Sequence, residues 1–132
     1  MRLIVAGSRS IASYAVVKSA IDKAIAILEE EDYKDRITIV SGCARGIDTL
    51  AIQYAAINNL QCDKFPANWS LGKRAGYLRN SVMANHADAL LAIWDGVSPG
   101  TKHMINIMQS KGKRVWIRIH KKLTVSSGTS DS

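Results

Sequence analysis

The sequence predicts an α/β fold: a three-layer Rossmann-like sandwich built on a mostly parallel sheet. Three observations carry the prediction. Five short apolar, β-branched runs alternate with four stretches of helical periodicity, the pattern of successive βαβ units. Glycine- and serine-rich turns follow the first, second and fourth runs, where parallel strands end at one carboxyl edge. The length of 132 residues, 47% of them hydrophobic, suits one domain with a sizeable core and is too short for two.

Arg2 to Ala6 reads as a buried strand that runs into the polar turn Gly7-Ser8-Arg9-Ser10. A long amphipathic helix follows, with Val16, Val17, Ala20, Ile21, Ala24, Ile27 and Leu28 recurring at intervals of three and four, and Glu29 to Asp32 forming its solvated end. Arg36 to Val40 is the second strand, and Ile47 to Asn58 the second helix, stopped by Asn58-Asn59. Gln61 to Phe65 is a third strand, Pro66 to Ser70 a loop, and Leu71 to Asn85 a third helix. Asp88 to Trp94, the turn-rich Asp95 to Gly100, the helix Thr101 to Ser110 and the strand Arg114 to Ile119 complete the pattern. Residues 1–120 thus form the expected domain; 121–132, polar and low in complexity, read as a flexible tail.

The formal net charge is +7, and residues 97–132 hold seven basic side chains against one acidic. Such an end attracts nucleic acid or phosphorylated ligands, although many basic clusters are simply solvated faces. No apolar run approaches the length of a membrane span, and the N-terminal run ends at Gly7, too soon for a secretion signal. Cys43 and Cys62 lack metal-ligand spacing, as do His86, His103 and His120, so neither metal nor cofactor is expected, and a reducing cytoplasm is the expected compartment.

The three glycine-rich loops bring different chemistry to one edge. Gly7, Ser8 and Arg9 form the first; Ser41, Gly42, Cys43, Ala44, Arg45 and Gly46 form the second, a phosphate cradle that opens a helix. Serine hydroxyls and arginine forks suit phosphate oxygens. Asp48, in the first turn of that helix, either sits favourably on the helix dipole or accepts hydrogen bonds from a ribose hydroxyl. Asp95 and Gly96, with Ser98, Gly100 and Thr101, make the third loop and a second anion-binding helix start. Asp95 is the carboxylate best placed for acid/base work or ribose binding, or else a turn-forming residue. Arg79 and Asn80 are polar among apolar neighbours and suit a phosphate and a base or carbonyl; Trp69 and Trp94 offer flat faces on which a base can stack.

Taken together, Gly7-Ser8-Arg9, Ser41 to Asp48, Phe65 to Trp69, Ala75-Gly76 with Arg79-Asn80 and Met83, and Asp95-Gly96 with Ser98 and Gly100-Thr101 resemble the SLOG superfamily. The likeness is to its stand-alone YspA-like group, related to DprA/Smf and to the LOG phosphoribohydrolases, and runs from about Arg2 to Ile119. It implies a Rossmann-like domain for nucleotides and nucleotide-derived ligands. The LOG resemblance implies an N-glycosidase acting on nucleoside monophosphates, with Arg79 and Met83 matching its arginine and methionine, and Asp95, Asp48 and Arg79 as catalytic candidates. Its glutamate after Gly-Thr has no counterpart, since Lys102-His103-Met104 follows Gly100-Thr101. The DprA resemblance implies a single-stranded-DNA-binding module, and related domains often form homodimers. Binding of a nucleotide-like small molecule is the leading expectation, with no membrane partner.

Overall fold

Strand, turn and helix signals resolve into five strands and four α-helices in a computed structural model, which describes residues 1–31 and 36–120. Asp32 and the tail expected at 121–132 lie outside the described residues. The elements are β1 (Arg2–Gly7), α1 (Tyr14–Glu30), β2 (Thr38–Ser41), α2 (Ile47–Ile57), β3 (Cys62–Lys64), a 3₁₀ segment (Trp69–Arg74), α3 (Ala75–His86), β4 (Ala89–Trp94), α4 (Pro99–Ser110) and β5 (Arg114–Ile119). Every strand pairing is parallel, in the order β3-β2-β1-β4-β5.

Alternation along the buried strands builds two cores. Leu3, Val5, Ile39, Leu91 and Ile93 face α1 and α2, whereas Ile4, Val40, Leu90 and Ala92 face α3 and α4. In α1, Val17, Ala20, Ile21, Ala24 and Leu28 form the buried stripe, and Ser13 caps the helix through Val16 N–H···Oγ at 3.3 Å. Truncating a residue such as Leu90, which has no exposed surface, leaves a cavity that costs about 2–5 kcal/mol.

Some boundaries differ from the periodicity. The second strand starts at Thr38 rather than Arg36, because Arg36 lies ahead of the ladder, its carbonyl accepting from the N-terminal amine and its guanidinium donating to Asn59 O at 2.7 Å. The expected helix from Leu71 is a 3₁₀ segment broken at Gly72, and α3 begins only at Ala75. The last helix starts two residues early, at Pro99, whose fixed φ suits a first helical position.

The chain leaves β1 for β2 on one side and returns to β4 on the other. That reversal opens a crevice outside the carboxyl ends of β1 and β4. Among the described residues, no helix is long and apolar enough to cross a membrane.

Candidate functional site

A cavity of about 590 Å³ occupies this crevice. Its floor is the end of β1 and the turn after it (Gly7, Ser8, Arg9); Ala44 and Asp48 come from the β2–α2 side, Trp69, Arg79 and Asn80 from the 3₁₀ segment and α3, and Ser98, Gly100 and Thr101 from α4. The volume falls in the range of small-molecule sites. The buried polar side chains among the described residues are Ser8, Ser41, Asp48, Asn80 and Thr101, and all five belong to this edge. Buried polar groups carry information that exposed ones do not, because each needs a partner or a ligand.

The expected cradle has its own internal acceptors. Cys43 N–H donates to Ser41 Oγ at 3.2 Å, Ala44 N–H donates to Asp48 Oδ2 at 3.3 Å, and Ser41 Oγ donates to the Asp48 carbonyl at 2.9 Å. Asp48 therefore lies where an anion in the loop would lie. Burial pushes its carboxyl up to about 6, against the Ala44 N–H, the Arg79 charge, the Gly7 N–H and the Arg9 charge, which all favour ionisation. Two glycines set the loop's shape. Gly46 has φ 77°, and a Cβ there would lie 2.8 Å from the Arg9 carbonyl oxygen; a Cβ at Gly42 would lie 2.6 Å from Arg79 Nη1.

Arg79 is held by its own surroundings: Nη1 donates to Gly42 O, and Nε donates to Asn80 Oδ1 at 3.0 Å. Asn80 reaches α4, donating to Gly100 O at 3.2 Å and meeting His103 Nδ1 at 3.2 Å. His103 packs edge-on against Tyr77, and burial lowers its imidazole pKa. At the start of α4, Lys102 N–H donates to the carbonyl of the N-cap residue Ser98 at 3.2 Å, so the Gly100 and Thr101 N–H groups precede the helical ladder at the cavity rim. At the other end Trp69 is 56% exposed, with the Arg9 guanidinium 5.8 Å from its ring centroid.

Asp95 has a different task. Its carboxylate accepts from Val97 N–H (2.9 Å), Ser98 N–H (2.7 Å) and Ser98 Oγ–H (2.6 Å), while its own N–H donates to Ser8 Oγ at 3.0 Å. Burial raises this carboxyl, but the Ser98 hydroxyl and N–H, the Val97 N–H and the Ser8 hydroxyl outweigh it and hold the group at about 2. The geometry is that of the turn former, with the acceptor capacity of the carboxylate largely engaged.

Of the residues singled out in the sequence, Gly7, Ser8, Arg9, Ala44, Asp48, Trp69, Arg79, Asn80, Ser98, Gly100 and Thr101 line the cavity. Ser41, Gly42, Cys43, Asp95 and Gly96 are not part of its lining. Arg45 and Gly46 line a second, more open hollow that shares Arg9 and Ser10 with the first. Trp94 packs against the α3–α4 core and donates Nε1–H to Ser98 O at 3.1 Å. Lys73, Tyr77 and Met104 also line the cavity and were missed; Tyr77 falls on the α3 stripe shared with Asn80 and Met83, the spacing that could have revealed it, whereas Lys73 lies in the 3₁₀ segment before α3.

The basic C-terminal third is partly used within the fold. Lys113 Nζ donates to the carbonyls of Ala84 (2.6 Å) and Ala87 (2.8 Å), Arg114 forms a two-pronged pair with Glu31, and Arg118 reaches Ser19 Oγ at 3.3 Å. Lys121 and Lys122 lie outside the described residues.

A family model described as YAcAr, the YspA, cpYpsA-related SLOG family, matches residues 1–72, more than half of the chain. The chain belongs to this SLOG family. No curated protein matches it. Among solved structures it is similar to DNA processing protein A (DprA) from Streptococcus pneumoniae, with a TM-score of 0.66 and 22% identity, covering 98% of this chain and 53% of that one. It is also similar to DNA processing protein A from Helicobacter pylori, with a TM-score of 0.60 and 16% identity, covering 94% of this chain and 67% of that one. The SLOG chain thus spans about half the length of the Streptococcus protein, and these likenesses establish the shared fold.

Proposed function

We propose that this SLOG protein binds a nucleotide or nucleotide-derived phosphorylated ligand in the crevice outside β1 and β4. One observation carries the reading: a single cavity combines anion donors, Arg79 and the leading N–H groups of α4, with an exposed indole beneath Arg9. Phosphate suits the first group and a base suits the second. Binding rather than hydrolysis is the supported activity, since Lys102-His103-Met104 replaces the acid expected of a phosphoribohydrolase and the Asp95 carboxylate is engaged by Val97 and Ser98. Isothermal titration with nucleoside mono- and diphosphates, dinucleotides and ADP-ribose tests the reading. Saturable heat at submillimolar ligand is expected; no heat from any compound at millimolar concentration overturns it.

A second reading, single-stranded DNA binding, is favoured by the likeness to the Helicobacter protein, whose structure is described as showing its single-stranded DNA binding mode. It expects affinity that rises with strand length and falls with salt by a log–log slope of about −0.7 per phosphate neutralised. Equal affinity for a mononucleotide and a long oligonucleotide rejects it.

A further inference from the structure

We propose that Asp48 accepts a hydrogen bond from a ribose hydroxyl of the bound nucleotide, so that the cavity selects ribonucleotides over their 2′-deoxy or 3′-deoxy counterparts. The proposal rests on the nucleotide reading above. Asp48 is only 5% exposed, yet it belongs to the cavity wall. A carboxylate offers about four acceptor directions. Ala44 N–H occupies one on Oδ2 at 3.3 Å, and Gly7 N–H supplies a further favourable contact from the floor. Among the described residues Oδ2 is the carboxylate oxygen that accepts a hydrogen bond, and because no fully buried side-chain N or O atom there lacks a partner, Oδ1 keeps accessible surface at the cavity wall.

The chemistry that can meet it is restricted. A phosphate set against Asp48 would place two like charges together in a poorly solvated space. The phosphate is therefore directed to the α4 side of the crevice, where Gly100 and Thr101 present N–H groups. What faces Asp48 must be a donor, and a nucleotide offers two kinds: sugar hydroxyls and base N–H groups. Placement separates them. The indole platform, Trp69, lies on the 3₁₀ segment beside Gly76; a Cβ at Gly76 would be 3.6 Å from its ring and 3.8 Å from Arg79 Nη2. Arg79 in turn faces Gly42 and the Asp48 carboxylate, on the β2 side of β1, while α4 begins after β4 on its other side. A ligand with its base on Trp69 and its phosphate at α4 crosses the end of β1 with its sugar, and Asp48 borders that crossing.

The experiment is isothermal titration of the full chain with adenosine 5′-monophosphate, its 2′-deoxy and 3′-deoxy analogues, and purine riboside 5′-monophosphate, which lacks the base amino group. The wild-type protein should bind the ribose form at least about tenfold more tightly than one of the deoxy analogues, the size expected of a hydrogen bond to a charged acceptor. Asp48→Ala, checked for folding by circular dichroism, should bring that ratio toward one, and Asp48→Asn, whose amide oxygen still accepts but carries no charge, should lower it by less. Equal affinities for ribose and both deoxy forms in the wild type overturn the proposal. So does discrimination that survives in both variants, or that follows the base amino group instead of the sugar. Absence of binding by all four compounds sinks the nucleotide reading for this base, and the sugar contact with it.

Discussion

The β2–α2 and β4–α4 loops each place one aspartate at the same sheet edge, and the two carboxylates behave in opposite ways. Asp95 gathers three donors from its own loop and is held at about 2. Asp48 is buried with fewer donors, and burial pushes it up to about 6. The difference shows that position in a glycine-rich loop does not assign a role. The count of donors against the degree of burial does. A carboxylate whose acceptors are engaged builds the loop, whereas one with spare capacity beside a cavity is available to a ligand.

The largest test of this contrast is stability against pH in the ligand-free protein. Asp48 is raised from 3.8 to about 6, so the folded state holds its proton after the unfolded chain has released it. Its contribution makes the protein less stable as pH rises from about 4 to about 6, and the penalty stays above that range. Asp48→Asn should therefore stabilise the fold by about 3 kcal/mol at pH 7.5 but by only about 0.5 kcal/mol at pH 4, read from urea denaturation at each pH. An equal effect at the two pH values would show that the burial cost lies elsewhere.

Asp95 should show the reverse sign. Asp95→Ala strands the Val97 and Ser98 donors and should cost about 2 kcal/mol at pH 7. Its depressed pKa means that this stabilisation is full above 3.8 and is lost as pH falls through about 2, so the gap between wild type and variant should close only in strong acid. A gap that closes near pH 6 would contradict the assignment. In binding, Arg79→Ala removes a cation from the cavity wall together with the ties to Gly42 O and Asn80 Oδ1 that shape it, and should lower nucleotide affinity about tenfold, which titration calorimetry reads directly. Asp95→Asn should leave that affinity nearly unchanged. The smallest effect is expected at the junction of the β1 and β4 loops: Ser8→Ala removes the acceptor of Asp95 N–H and should cost about 1 kcal/mol in thermal or chemical denaturation.

Much of the fold was legible in advance because its signals are local. The apolar stripe of α1 repeats with the helical period, and Leu3 to Ala6 and Ala89 to Ile93 are continuous buried runs, as parallel strands require. The places that misled were also local conflicts. Helical spacing after Leu71 hid the break at Gly72, and Pro99 read as part of a turn although its geometry suits a helix start. For the site, glycine-rich loops marked the edge, but the sequence favoured Asp95 over Asp48 as the carboxylate for acid/base work, and Trp69 and Trp94 looked equally suited to stacking. Their surroundings separate them: Trp69 is exposed beneath Arg9, whereas Trp94 is joined to Ser98 and to the core.

The amino-acid sequence by itself determined the alternation of strands and helices, the parallel sheet and the edge at which its polar loops gather. These follow from periodicity, turn chemistry and strand composition, which act over a few residues. Tertiary structure alone decided that Arg79 packs over Gly42, that Asp48 is buried beside the cavity while Asp95 closes its own turn, and that Ser8 bridges to a loop 87 residues away. Those outcomes depend on strand order and on how far water is excluded, and both are set by long-range packing that no local pattern encodes.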